Sequence, residues 1–292
     1  TYIASSQSIT ATGATPIACD VLEDSLLLDL KDAENKLTKN TKAIMPVHYS
    51  GGVGDLSKIY DFAKSYNLRV IEDAAHAFGS TYNGNKIGSF GDIACFSFDG
   101  IKNITSGEGG AIITDDQKVI KKAMDARLLG VINDSKKRYL GNRSWTFNSK
   151  EQGWRYHMSD IMAAIGRVQL KKFPYLLAKR RKLAIYYDKL LSNSKRIKTL
   201  DRDYNTVVPH IYPIRVKNLI DRGNLKEKLL KRNIQVGYHY FPNHWLDYYK
   251  ESNHHLPVTE SVFPELLTLP LHPDLEESDI EYVVSEITKI LG

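Results

Sequence analysis

The chain predicts an α/β fold: a mostly parallel central sheet flanked by helices, followed by a smaller α+β C-terminal domain. Three observations carry this. Short apolar runs alternate with helix-like stretches through about the first 130 residues, the pattern of a parallel sheet covered on both faces. After about residue 195 the texture changes to a β-α-β-α tail with its own apolar residues. No internal repeat or low-complexity tract offers another architecture.

Taken in order, residues 1–13 read as a short apolar–polar segment ending at Gly13, and Thr15–Val21 as a buried strand. A helix pattern follows near Asp32–Thr38. Lys42–His48 is the next strand, broken by a turn at Ser50-Gly51-Gly52. Asp55 reads as the N-cap of a helix over Leu56–Ser65, whose Ile59, Phe62 and Ala63 form one apolar face. Leu68–Glu72 is a strand delivering Asp73. Gly84, Gly88 and Gly91 punctuate a turn region before the strand Asp92–Phe98. A connection holding Lys102 leads through Gly107-Glu108-Gly109-Gly110 to a short strand, Ala111–Thr114. Asp115-Asp116 opens a helix that ends near Leu129-Gly130, and the polar, aperiodic stretch 131–152 reads as a loop.

Ser159-Asp160 caps a helix with Ile161, Ala164, Ile165 and Val168 at helical spacing. Pro174 separates it from a longer helix, Tyr175–Leu191. The tail then gives a strand over Val207–Val216, a helix over Leu225–Arg232 and a strand over Ile234–Tyr240. A turn at Leu269–Pro273 and an amphipathic helix over Glu276–Leu291 close the chain. Residues 1–174 therefore form a large domain, and 175–292 a connecting helix with a small C-terminal domain.

The totals narrow the function classes. At 292 residues, with 42% hydrophobic and 25% charged content, the chain can bury a large core. The net charge of +6 is dispersed. Its densest cluster, Lys179-Arg180-Arg181-Lys182, sits in a helix-like segment and reads as a solvated face, so nucleic acid is not an expected partner. A modest positive excess also suits anionic phosphate substrates. Cys19 and Cys95 lie in apolar runs and read as reduced core residues of a cytoplasmic protein. No apolar run reaches membrane-spanning length, and no signal peptide, membrane or metal is expected.

Two stretches carry the chemistry. Val70–Gly79 ends a strand in small and polar residues and delivers the Asp73 carboxylate; Cys95–Lys102 does the same and delivers the Ser97 hydroxyl and the Lys102 amine. Strand ends of an open α/β sheet line its ligand crevice. A lysine, an acid and a hydroxyl converging there suit a phosphorylated, nitrogen-containing cofactor held as a Schiff base. Pyridoxal 5'-phosphate (PLP) answers that description, since it needs a lysine and an acidic partner for its pyridinium nitrogen. Singly these residues have plainer readings: a surface charge for Lys102, a helix N-cap for Asp73.

Together they resemble a family. Glu72-Asp73-Ala74-Ala75-His76-Ala77, Phe96-Ser97-Phe98 with Lys102-Asn103-Ile104-Thr105, Gly107-Glu108-Gly109-Gly110 and Gly153–Asp160 stand in the order and spacing of the DegT/DnrJ/EryC1/StrS sugar-nucleotide aminotransferases. These are PLP enzymes of fold type I. Pro46-Val47-His48-Tyr49 and Leu269–Pro273 also match, so the resemblance runs through essentially the whole chain.

It implies roles residue by residue. Lys102 is the Schiff-base lysine, whose freed amine then shuttles a proton between cofactor and substrate. Asp73 is the pyridinium partner and Ser97 a phosphate ligand. His76 lies against one ring face and Tyr2 against the other. Arg155 departs from the asparagine of many relatives, which reaches the neighbouring subunit's phosphate. Asp99 departs from a frequent histidine. His48 is a crevice position, and Tyr238–His244, with His239 and His244, resembles the substrate-side loop. Relatives carry a further stretch ahead of the segment matching Thr1, with a Gly-Thr-type loop for the phosphate, so the chain is expected to lack its N-terminal part.

The resemblance further implies ping-pong transamination: an amino acid, L-glutamate, donates, and a nucleotide-linked keto sugar of the keto-deoxyhexose type accepts. Such products feed surface polysaccharide (lipopolysaccharide O-antigen) or glycosylated metabolites, and homodimers with shared sites are expected. Two alternatives stand beside it. A sugar dehydratase of the same family has a histidine where this chain has Lys102. A non-catalytic regulator would not need Asp73, Ser97 and Lys102 intact.

Overall fold

The computed structural model describes residues 1–132, 140–141, 146–250 and 254–292. A four-stranded sheet organises the first half, with β1 (Ala43–Ile44), β2 (Arg69–Asp73), β5 (Ile93–Ser97) and β6 (Gly110–Ile113) in that spatial order. β1, β2 and β5 run parallel, and β6 returns antiparallel against β5. Between β2 and β5 lies a hairpin, β3 (Thr81–Tyr82) and β4 (Asn85–Lys86). Its turn is Asn83-Gly84, both at positive φ (48° and 77°), the pair that a tight hairpin turn favours.

Helices supply the cover. α1 (Ile3–Thr10) and α2 (Leu30–Asn35) precede the sheet, and α3 (Leu56–Ser65) connects β1 to β2. Asp55 caps α3 by accepting the Lys58 N–H at 3.2 Å, as its place before the apolar stripe predicts. Leu56, Ile59 and Ala63, at spacings of three and four, then pack against Val70, Ala74 and Ala77 of the sheet layer. α4 (Gln117–Ala126) follows β6, capped by Asp116.

The second core forms where α5 (Asp160–Leu191) meets an antiparallel sheet of β7 (Ile197–Thr199), β8 (Tyr212–Val216) and β9 (Leu266–Leu269). α6 (Arg222–Leu230), α7 (Pro257–Val262) and α8 (Glu277–Leu291) complete it. Leu183, Tyr187, Tyr212, Ile214, Leu267 and Ile280 are all at most 1% exposed there. Each such side chain contributes about 1.5–3 kcal/mol of burial.

The structure corrects several sequence expectations. Thr15–Val21 is extended but unpaired except for a bridge from Val21 to Leu28, so it forms no strand. Pro174 does not divide two helices; α5 runs through it. A proline inside a helix costs about 3 kcal/mol against alanine. The helix is fixed beside it by Phe173, packed edge-on against Phe78 at 5.0 Å, and beyond it by Leu183 and Tyr187 in the core. The strand expected over Val207–Val216 begins only at Tyr212. The preceding backbone is spent elsewhere: Val208 N–H donates to Ser80 Oγ and Thr206 C=O accepts from Thr81 N–H. Ile234–Tyr240 forms no strand: its backbone pairs with the small sheet at Gly237 alone, opposite Thr268. Of the loop expected over 131–152, residues 133–139 and 142–145 lie outside the described residues.

Candidate active site

Asp73 closes β2, and the parallel register places it opposite Cys95, two residues before Ser97 closes β5. Both carboxyl ends therefore open on one edge, where a parallel sheet presents its ligand crevice. The backbone of Asp73 is fixed on both sides, its N–H donating to Pro46 C=O at 2.9 Å and its C=O accepting from His48 N–H at 3.0 Å. Its carboxylate is held too. Oδ1 accepts from Ala75 N–H at 3.2 Å, and Oδ2 accepts from the Ser5 hydroxyl at 2.5 Å. The Ser5 oxygen is in turn 2.8 Å from Thr1 Oγ1. Sequence reading missed Ser5, because nothing local marks a helical serine as the partner of a residue 68 positions away.

Lys102 stands beyond β5 in a closed loop. Phe98 N–H donates to Gly109 C=O, Ser106 N–H donates back to Phe98 C=O, and Lys102 N–H donates to Asp99 C=O, at 2.8, 2.9 and 3.1 Å. The half-buried amine has no hydrogen-bond or ion-pair partner among the described residues. Burial pulls its pKa down from the ordinary lysine range; Asp99 and then Asp73 oppose that. Ser97 Oγ accepts from Asp99 N–H at 3.3 Å, leaving its own proton unspent among the described residues.

His76 is buried beside this group. Burial first, then the Lys102 charge, lowers its pKa to about 3, so the ring is neutral. Its Nδ1 accepts from Ser50 N–H at 3.3 Å, and Nε2 lies 3.0 Å from the Tyr240 hydroxyl. The His210 ring packs on it at 4.3 Å between centroids. Asn103, next to Lys102, reaches the main chain of both His76 and Val208 through Nδ2. Tyr240 was not singled out from the sequence, although its place in the Tyr238–His244 loop was the signal that could have found it.

The other expected residues are less central. His239 is half-buried, bonds Thr268 Oγ1 at 2.9 Å, and has its pKa lowered by burial and by Lys102, so it faces the same cluster. Tyr2 is 59% exposed, with its ring 5.5 Å from that of Tyr240. His48 turns to Glu72, with Nε2 at 2.7 Å from Oε2 and both residues fully buried. His244 pairs with Glu260 of α7 at 3.1 Å. Arg155 is exposed, its backbone bridging Leu128, and no described contact links it to Lys102 or Asp73. The two cysteines are free, and burial pushes both thiols up to about 11, which leaves them protonated. A cavity of about 490 Å³ lies among Leu27, His48, Val53, Lys58 and Arg202, and neither Lys102 nor Asp73 lines it.

The donor set fits the cofactor that the sequence suggests. It offers a free, partly desolvated amine, a carboxylate oriented by two donors, a hydroxyl with an unspent proton and a neutral imidazole. Asp73 would hold the ring nitrogen protonated, Lys102 would take the carbonyl carbon, and Ser97 would donate to the phosphate.

Comparison with known proteins agrees. The model of the DegT/DnrJ/EryC1/StrS aminotransferase family matches residues 1–288. An uncharacterized protein of Methanocaldococcus jannaschii, MJ1066, is 35% identical over 300 residues, covering all of this chain and 78% of its own length. Among solved structures, Helicobacter pylori PseC, an aminotransferase involved in pseudoaminic acid biosynthesis, superposes with a TM-score of 0.91 at 26% identity, covering 100% of this chain and 77% of its own. The sugar aminotransferase Spr1654 of Streptococcus pneumoniae, described as putative, does so in its PMP form with a TM-score of 0.90 at 32% identity, covering 100% and 79%.

Proposed function

Because the chain belongs to the DegT/DnrJ/EryC1/StrS aminotransferase family, we propose that it aminates a nucleotide-linked keto sugar of the keto-deoxyhexose type, taking the amino group from L-glutamate. It is a PLP-dependent aminotransferase of fold type I, and solved relatives exist in PLP and PMP forms. The observation that carries the reading is the free amine of Lys102, on the loop after β5, within the field of the oriented Asp73 carboxylate at the end of β2. When bound, the cofactor supplies an electron sink for the carbon that exchanges its amino group.

The chain's own residues do the rest. Asp73, its two oxygens oriented by the Ser5 hydroxyl and the Ala75 N–H, would keep a proton on the ring nitrogen. Lys102 would be the group that moves a proton at the reacting carbon, and burial favours the neutral amine that can take one. His76 offers one flat, neutral face and Tyr2 the other, and Ser97 takes the phosphate. His239 faces the substrate, and we assign His48 and His244 to holding the surrounding loops through Glu72 and Glu260.

We place Arg155 at a site shared between the two chains of a homodimer, its exposed guanidinium reaching a phosphate across the interface. The division into a large domain, residues 1–174, and a small one, 175–292, and a cytoplasmic setting in surface-polysaccharide or glycosylated-metabolite synthesis belong to the same reading. No helix among the described residues is long and apolar enough to cross a membrane.

An absorbance spectrum tests it. With PLP, a visible band should appear, be lost on adding L-glutamate, and be absent in Lys102→Ala; keto-sugar nucleotides should then restore it. A glutamate-insensitive band, or one that survives in Lys102→Ala, would overturn the assignment.

A further inference from the structure

The direction of every proton between Ser50 and Tyr240 is fixed. A backbone N–H can only donate, so the Ser50 N–H placed on His76 Nδ1 makes that nitrogen the lone-pair one. A neutral ring then carries its hydrogen on Nε2, which donates to the Tyr240 oxygen at 3.0 Å. A phenol has two in-plane directions at its oxygen, one for accepting and one for its own O–H. His76 takes the first, so the Tyr240 proton is confined to the second. No described residue receives it.

The fold holds this arrangement firmly. Ser50 sits in a left-handed turn (φ 57°) that an L-residue adopts reluctantly, and its hydroxyl donates to Ile211 C=O at 2.6 Å to keep it there. Gly51 follows at φ 86°, and a Cβ on it would stand 2.2 Å from Val208 O. Ser80 Oγ donates to Gly51 C=O at 3.0 Å and accepts from Val208 N–H at 2.9 Å, tying the turn to both its neighbours. Tyr49 donates to His239 C=O at 2.6 Å, which fixes the peptide just before Tyr240. Burial and then the charge of Asp73 push the phenol upward, so Tyr240 keeps its proton at every working pH.

We propose that Tyr240 is a ligand-binding donor of this active site: its O–H, oriented by Ser50 through the Nε2–H tautomer of His76, donates to an acceptor oxygen of the molecule bound at Lys102. The ligand clause rests on the aminotransferase reading; the tautomer clause does not. The acceptor can come from two sources, the phenolic oxygen of the cofactor or an oxygen of the substrate.

Nitrogen-15 NMR of histidine-labelled protein without cofactor tests the orientation. The expected pattern for His76 is a bare Nδ1 and a protonated Nε2; an Nδ1–H tautomer would overturn the proposal whatever the enzyme does. Tyr240→Phe then removes the donor, together with the oxygen that accepts from His76. If the acceptor is on the substrate, the L-glutamate concentration that half-saturates bleaching of the visible band rises roughly ten- to hundredfold with the band itself unchanged. If it is on the cofactor, the pH titration of that band shifts in the variant before glutamate is added. Either shift supports the proposal. A Tyr240→Phe protein with the wild-type band, band titration and glutamate saturation would overturn it.

Discussion

Replacing His48 by alanine separates a structural histidine from a ligand-binding one, and the structure sets the size of the effect. Glu72 is 0% exposed and takes the Tyr60 hydroxyl on Oε1 at 2.6 Å and His48 Nε2 on Oε2 at 2.7 Å. His48→Ala leaves Oε2 without that partner, and the imidazole packing is lost with it. Leaving a buried acceptor without its partner costs about 1–3 kcal/mol, a sizeable part of the roughly 5–15 kcal/mol that holds a typical domain together. At a urea slope of about 3 kcal/mol/M the unfolding midpoint should fall by about 0.3–1 M. His48→Gln can still donate to Oε2 and should recover about half of that loss. Urea titration followed by circular dichroism reads both variants. A His48→Ala protein with the wild-type midpoint and a weakened response to L-glutamate would refute this reasoning and return His48 to the crevice.

Three further outcomes are expected. Asp20 caps α7 through Val258 N–H, Thr259 N–H and Thr259 Oγ1 at 2.7–2.8 Å, and although burial opposes ionisation, these bonds leave its pKa below the usual carboxylate range. Its contribution is thus present above the unfolded pKa and lost as pH falls through the folded one. Asp20→Asn should cost about 1–2 kcal/mol above roughly pH 5, the gap closing below about pH 3; a pH-independent gap in urea midpoints would count against it. Asp99 raises the Lys102 pKa against the larger effect of burial, so in Asp99→Asn the labelling of Lys102 by an amine-reactive reagent, read by mass spectrometry, should move to lower pH. A move to higher pH would reverse the assignment. Gly51→Ala should cost more than 2 kcal/mol, because the new methyl meets Val208 O in a left-handed turn, and an unchanged thermal midpoint would show that the turn relaxes freely.

What the sequence made legible was local chemistry at element ends. Asp73 and Ser97 were readable as strand ends because an apolar run stops there in polar residues, and the parallel register sets them side by side. Asp55, Asp116 and Ser159 were readable as helix starts for the same kind of reason: a small polar side chain ahead of an apolar stripe has an N–H to satisfy. Pro174 misleads, because its local cost is offset in the fold by Phe173 packed on Phe78 and by Leu183 and Tyr187 buried in the C-terminal core.

Partner choice across the chain was illegible, and the histidines show why. His48, His76, His239 and His244 are one residue type, and the residues beside each do not name its hydrogen-bond partner. In the fold each takes a different partner: Glu72, Ser50 with Tyr240, Thr268 and Glu260. Burial lowers the pKa of His76 and His239, and both feel the charge of Lys102. A motif therefore locates such a site, while the roles of its members follow from hydrogen-bond direction, which is a property of the packed chain. Where a backbone N–H anchors one end of a relay, as at Ser50, that direction propagates without ambiguity to the far hydroxyl. Tyr240 gains a role there that its own sequence neighbourhood does not contain.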